Sequence, residues 1–360
     1  MTQPAPTDAA AKPKGSFGRN LTLTMVVVVV VLIPAILMVL VTWAATGTPQ
    51  GAATWASLPA IATIAAAFAG GRGFAVRVAI VLAFLAPLSI VAGSSPVSGA
   101  ALMAIMCLMV GRLARVGLHK SGLLVPVMMS WAVINPPAWS PATTVNRTDT
   151  EYLLWMTLIF FVGALLPALI VPWLMRKKKT PKLATHTTQE VVVYTVLITV
   201  LVTVATYIVL DNPRFFGGAF LIASIMVMAP IGTAETLRPT IIRVVSTVAG
   251  SVLVVLLLSR VDALGLIYLF GLLFLIVAMM SRLQGYTWLY FLFMVPATAA
   301  LNATTLTQVG ELSKQRVGDN IIGGIAVLAA AALAIGYSNW ASRRGHASDA
   351  DPEVAAVAAA

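Results

Sequence analysis

The chain has 360 residues, of which 59% are hydrophobic and only 10% charged, and its mean hydropathy is +0.95. Soluble proteins carry about 25% charged residues, so a water-soluble globular domain of any size is excluded and an integral membrane protein is implied. The formal net charge of +11 invites a nucleic-acid reading, but the basic residues gather in short loops between apolar runs, which points to membrane orientation instead.

Residues 1–20 are rich in Pro, Ala and Lys without a period, and read as a disordered cytoplasmic tail. Apolar runs long enough for helical crossings, roughly 20 residues each, then recur along the chain. In the first half they fall at residues 21–45, 54–69, 76–92, 97–110, 122–134 and 152–174. The first is too long for a signal-peptide core and is expected to be a retained span. Residues 176–190, RKKKTPKLATHTTQE, form the one hydrophilic linker inside the membrane region. The second half repeats the order at 191–210, 219–231, 241–258, 264–280, 286–301 and 320–337, and the chain closes on a tail over 338–360.

The expected fold is therefore all-α: a polytopic membrane protein of about twelve transmembrane helices. With the N-terminus in the cytoplasm, Lys and Arg divide 18 inside to 5 outside, the outside set being Arg147, Arg214, Arg260, Lys314 and Arg316. Two marks suggest an internal repeat. Arg72 and Arg77 share the Arg-x4-Arg spacing of Arg238 and Arg243, 166 positions later. Ala142-Thr143-Thr144 before the sixth run is echoed by Ala303-Thr304-Thr305 before the twelfth, 161 positions later. Six spans per half is an even number, so the repeats over 21–175 and 191–337 would be parallel, with both termini cytoplasmic.

Within this frame the polar residues have two readings each. Arg72, Arg77, Arg238 and Arg243 are either topology anchors at the headgroups or a bidentate, permanently charged seat for carboxylates. Pro230 and Gly232 should end or unwind the short eighth helix, and matching short segments mark a transporter's binding site. Glu235, three residues before Arg238, is either its structural ion-pair partner or a proton carrier that releases it. Asp319, with Asn320 at the start of the last span, is either a helix N-cap or a second coupling carboxylate. Gly250, Gly323 and Gly324 read as close-packing positions between helices, as does Gly163. Trp139, Trp288, Tyr286 and Tyr290 suit interfacial aromatic belts.

An enzyme finds no support. His119, His186 and His346 are scattered, no HExxH spacing or phosphate-binding Gly-x4-Gly-Lys loop occurs, and neither a metal nor a cofactor is expected. Cys107 is the only cysteine, so an intramolecular disulfide is impossible.

Two stretches carry a resemblance. Arg243-Val-Val-Ser-Thr-Val-Ala-Gly250, after a span containing Pro230, resembles the R-x2-G-T-x2-G signature of fusaric acid resistance-like proteins, the aromatic acid exporter superfamily. Arg316-Val-Gly-Asp319-Asn320-Ile-Ile-Gly323 resembles a second block those proteins carry near their last span. Ser246 stands where the signature has Gly, and the large cytoplasmic domain of many relatives is absent, so the chain looks like the compact branch. The resemblance implies a multi-pass efflux component of a bacterial inner membrane exporting small organic anions such as aromatic carboxylates. Its partners would be a periplasmic membrane fusion protein and an outer-membrane channel, with the lipid bilayer around it, no nucleic acid, and homo-oligomers open. A non-transporting membrane scaffold or assembly factor is the competing class.

Overall fold

The computed structural model describes residues 17–47, 52–136, 145–174, 186–212, 218–229, 237–258, 263–302 and 306–348, with single positions at 176, 183, 231 and 261. Among the described residues all regular structure is helical. The helices are α1 (Phe17–Thr46), α2 (Ala52–Ala92), α3 (Pro96–Arg115), α4 (His119–Gly122), α5 (Leu124–Ile134), α6 (Thr150–Leu174), α7 (Thr188–Asp211), α8 (Gly218–Met228), α9 (Leu237–Leu258), α10 (Leu264–Leu283), α11 (Thr287–Asn302) and α12 (Leu306–Ser348). Eight described helical stretches are long and apolar enough to cross a membrane, and Gly218–Met228 and Thr287–Leu301 are apolar but shorter. The chain is an all-helical, multi-pass membrane protein.

The chain departs from the sequence expectation at three places. Residues 54–69 and 76–92 are two helical arms broken within GGRG as expected, but they meet at a kink at Gly71, with φ 72 and ψ −167, rather than across a loop. Only glycine takes that backbone readily, so one residue does the work assigned to GGRG. Residues 122–134 divide into the four-residue α4 and the 11-residue α5. The last helix begins at Leu306 rather than 320, since the polar stretch through Lys314, Gln315 and Arg316 consists of good helix formers without Pro.

The chain forms two compact units, interleaved in sequence, and neither coincides with residues 21–175 or 191–337. One unit comprises Met1–Pro87, Pro137–Pro181 and Ile242–Gly318. In it α10 and α11 pack as an antiparallel hairpin, turned at Gly285 with φ 87. Phe274 stacks on Phe293, with ring centres 6.0 Å apart. Val254 of α9, Ile267 of α10 and Val295, Ala299 and Ala300 of α11 form one buried cluster. Small residues let these helices meet closely: a methyl group on Gly250 would strike the Leu292 carbonyl, and one on Gly271 would strike Ala300 and Leu301. On the same principle Gly163 of α6 lies against the backbone of Ala56.

The other unit comprises Leu88–Pro136, Lys182–Ile241 and Asp319–Ala360. Its centre is the antiparallel pair of α3 and α7, where Gly99 abuts Leu210 and Gly111 abuts Thr195. On α7, Val191, Tyr194, Ile198, Val202 and Val209 are buried, whereas Val192, Val196, Val200 and Val204 form an exposed stripe at a spacing of four. A helix apolar on every face suits lipid on one side and protein on the other. Its start is fixed by a capping box: the Thr187 backbone N–H donates to Glu190 Oε2 at 2.9 Å, and the Glu190 N–H donates to Thr187 Oγ1 at 3.3 Å. The sequence Thr-x-x-Glu carried this signal, and α7 starts three residues before the expected 191 because of it.

Several buried hydroxyls bond within their own helices. Thr42 donates to the Met38 carbonyl at 2.7 Å, Ser130 to Val127 at 2.8 Å and Thr206 to Val202 at 2.7 Å. None of these therefore opens a polar path by itself.

Candidate functional site

The three helices at the end of the first unit bring arginine and aromatic rings together. Arg243 lies in the second turn of α9, Arg282 in the last turn of α10, and Tyr290 and Phe291 where the first turn of α11 passes into the second. The antiparallel course of α10 and α11 puts the end of one beside the start of the other. A backbone bond from Tyr286 N–H to the Ser281 carbonyl, at 2.9 Å, fixes the turn. The Arg243 guanidinium sits 4.8 Å from the centre of the Phe291 ring, and that of Arg282 sits 5.6 Å from the centre of Tyr290. The two rings touch at 5.1 Å between centres, inclined by 61°. Arg243, Tyr290 and Phe291 are half-buried, while Arg282 is exposed.

Each cation–π contact contributes about 0.5–2 kcal/mol according to its desolvation, and a guanidinium is a planar group that pairs with carboxylates through the N–H donors on its edge. The arrangement therefore offers planar apolar surface and fixed positive charge side by side. A flat anion with an aromatic ring matches both features.

A second arginine reaches α11 further along. Arg316, on α12, is 8% exposed although it lies in the apolar stretch Lys314–Leu333, and its guanidinium donates to the Thr298 hydroxyl. That hydroxyl in turn donates to the Val295 carbonyl at 3.1 Å. Phe291 and Thr298 are seven residues apart, two helical turns, so they share one face of α11 at about 10 Å separation. Arginines from α9 and α12 thus meet the same face of α11 at two depths. A buried guanidinium within an apolar helical stretch is a candidate functional group, because hydrocarbon penalises charge so heavily.

The remaining sequence candidates divide clearly. Arg72 and Arg77 are exposed on α2, on either side of Gly73, and neither makes a hydrogen bond or ring contact among the described residues. Arg238 belongs to the backbone of α9, but its side chain lies outside the described set, as do Pro230, Gly232 and Glu235. No structure is therefore assigned to the Glu235–Arg238 pair. Asp319 and Asn320 belong to the second unit, each 7% exposed. Asp319 is in the interior of α12, not at its start, so the N-cap account is corrected. Gly323 packs against Ser224 and Ile225 of α8, and Gly324 is buried.

No protein family, curated protein or solved structure matches this chain. Its chemistry has to be read from its own residues. Sequence reading placed Arg316 among the outside loop residues, and Arg282 and Phe291 were not singled out. For Arg316 a signal did exist, since a helix continued through 314–320 would have put a lone guanidinium in an apolar run. For Arg282 none did, because pairing with Tyr290 depends on how two helices meet.

Proposed function

We propose that the chain is a secondary transporter of the bacterial inner membrane that exports small organic anions, aromatic carboxylates first among them, driven by the proton motive force. The observation that carries this reading is the convergence of Arg243 and Arg316 on one face of α11, with Tyr290 and Phe291 at the first of the two positions. An aromatic acid would dock its ring on the aromatic pair and its carboxylate on Arg243 and Arg282, then pass toward Arg316. Arg72, Arg77 and Arg238 would gather anions at the same membrane side. Asp319, or Glu235, would carry the coupling proton.

For topology we adopt twelve crossings in two parallel six-helix repeats with both termini cytoplasmic. Its support is the uneven spread of Lys and Arg and the recurring Arg-x4-Arg spacing. Counting the arms of α2 on either side of Gly71 separately, and leaving out the four-residue α4, the described helices supply twelve apolar segments. Membership of the fusaric acid resistance-like superfamily is part of the proposal. So are a periplasmic membrane fusion protein and outer-membrane channel as partners, and self-association.

Reconstituted protein tests the reading directly. Liposomes holding the purified chain, loaded with benzoate and given a pH gradient, should show protein-dependent benzoate movement that a protonophore abolishes. Gradient-independent silence toward benzoate and a panel of aromatic acids, with a membrane fusion protein present, would favour the scaffold class instead.

A further inference from the structure

The second unit contains a polar cluster that the transport reading does not use. His119 opens α4, His186 immediately precedes the capping box of α7, and Tyr194 lies in the second turn of α7. Sequence gave no reason to associate residues 119 and 186, but the packing of α3, α4 and α7 brings them into contact. The His119 and His186 ring centres are 5.2 Å apart at 75°, and those of His119 and Tyr194 are 5.9 Å apart at 70°. His119 is 6% exposed and Tyr194 3%. His119 Nδ1, His186 Nε2 and Tyr194 Oη are each buried without a hydrogen-bond partner. A buried polar atom left unpaired costs about 1–3 kcal/mol, so three in one place call for a ligand that satisfies them together.

We propose that His119 and His186, with the Tyr194 oxygen, form a binding site for a divalent transition-metal ion of the zinc class. Imidazole nitrogens suit zinc-like ions, and a phenol joins them by giving its proton to solvent as the metal binds, whereas calcium and magnesium require oxygen donors throughout. Two imidazoles bound to one tetrahedral ion at about 2.0–2.1 Å have ring centres about 5 Å apart, the separation already present here. No three His, Cys, Asp or Glu side chains gather around an ion site among the described residues. The donor set is therefore two imidazoles and a phenol, and water completes it.

The exposed Lys120 ammonium works against a cation, while the Glu190 carboxylate, held in the cap by Thr187 N–H and Oγ1, lies beside His186 and works for it. A bound ion would clamp the stretch before α7 onto the turn between α3 and α5.

The test uses the full chain in detergent, stripped with a chelator and titrated with zinc chloride by calorimetry in a buffer that does not bind metal. One zinc per chain is expected, with affinity reduced at least about tenfold in His186→Ala and in His119→Ala, and unchanged in His346→Ala. Tyr194→Phe should lower affinity less. Absence of zinc binding up to millimolar concentration overturns the proposal, as does an unchanged affinity in His186→Ala. His186 is half-buried in a loop, so that variant decides the matter if His119→Ala does not elute as a single species. Because the readout is metal binding, loss of the site and failure of the transport reading are separate results.

Discussion

Arg243→Lys separates an anion seat from a topology anchor, because lysine keeps the charge that orients the helix and loses only what the guanidinium's shape supplies. In the structure that shape is used: the group lies 4.8 Å from the Phe291 ring centre. Lysine retains part of a cation–π attraction but has no flat face to stack and no fork to hold a carboxylate at two points. The cation–π contact with Phe291 is present with or without substrate, so the affinity change comes from losing one charge-assisted hydrogen bond out of two, about 1.5–3 kcal/mol. That corresponds to roughly a 10- to 150-fold weaker apparent affinity for an aromatic carboxylate. Benzoate efflux from proteoliposomes, measured across a concentration series, gives this number directly. Arg243→Ala should go further, and Phe291→Leu should weaken benzoate more than a small aliphatic acid, since only the former uses the ring. If Arg243→Lys exports benzoate with wild-type affinity and rate, Arg243 is an anchor and the seat on α11 is refuted.

Thr298→Val is nearly isosteric and deletes only the oxygen that accepts from Arg316. With that partner gone from a buried guanidinium, we expect a loss of about 1–3 kcal/mol in thermal stability in detergent and slower anion export. In the second unit, Gly111→Val should collide with the Thr195 side chain and destabilise the α3 and α7 pair by about 1–3 kcal/mol. Thr195→Ala in the same chain should restore part of that melting temperature. Thr187→Ala removes the hydroxyl that caps α7 and should cost about 1 kcal/mol, visible as faster amide exchange over residues 188–194.

Composition made the membrane class legible, because burying so many apolar residues with so few charges has one physical solution, helices whose backbone groups pair internally. The ends of helices were less legible, and the failures share a cause. A polar stretch such as 306–319 reads as a loop when each residue is scored for its surroundings, yet Leu306–Ser348 is one helix, in which the Arg316 guanidinium finds a partner on a neighbouring helix in Thr298. Gly71 shows the reverse: four loop-like letters, GGRG, reduce to one left-handed residue. Apolar periodicity places a helix in the membrane, but it is silent on which helix meets which. The two units, built from alternating segments, rest on contacts the sequence does not encode locally.

The same distinction explains which arginines were found. Arg72, Arg77, Arg238 and Arg243 stood out because they repeat a spacing, and of the three whose side chains are described only Arg243 has acquired a ring to lie on. Repetition in sequence marks shared position in a topology, which positive charge alone satisfies. Chemistry needs a partner from another helix, and that depends on a close approach: Gly250 must be small for α9 to touch α11 at Leu292 and Val295, and only then does Arg243, two turns earlier, reach Phe291. The signature-like stretch Arg243 to Gly250 is in this sense a single device, in which the glycine sets the helix separation and the arginine uses it. Enlarging Gly250 to valine should therefore impair benzoate affinity as well as stability, and a variant that lost stability while keeping wild-type affinity would break the link between them.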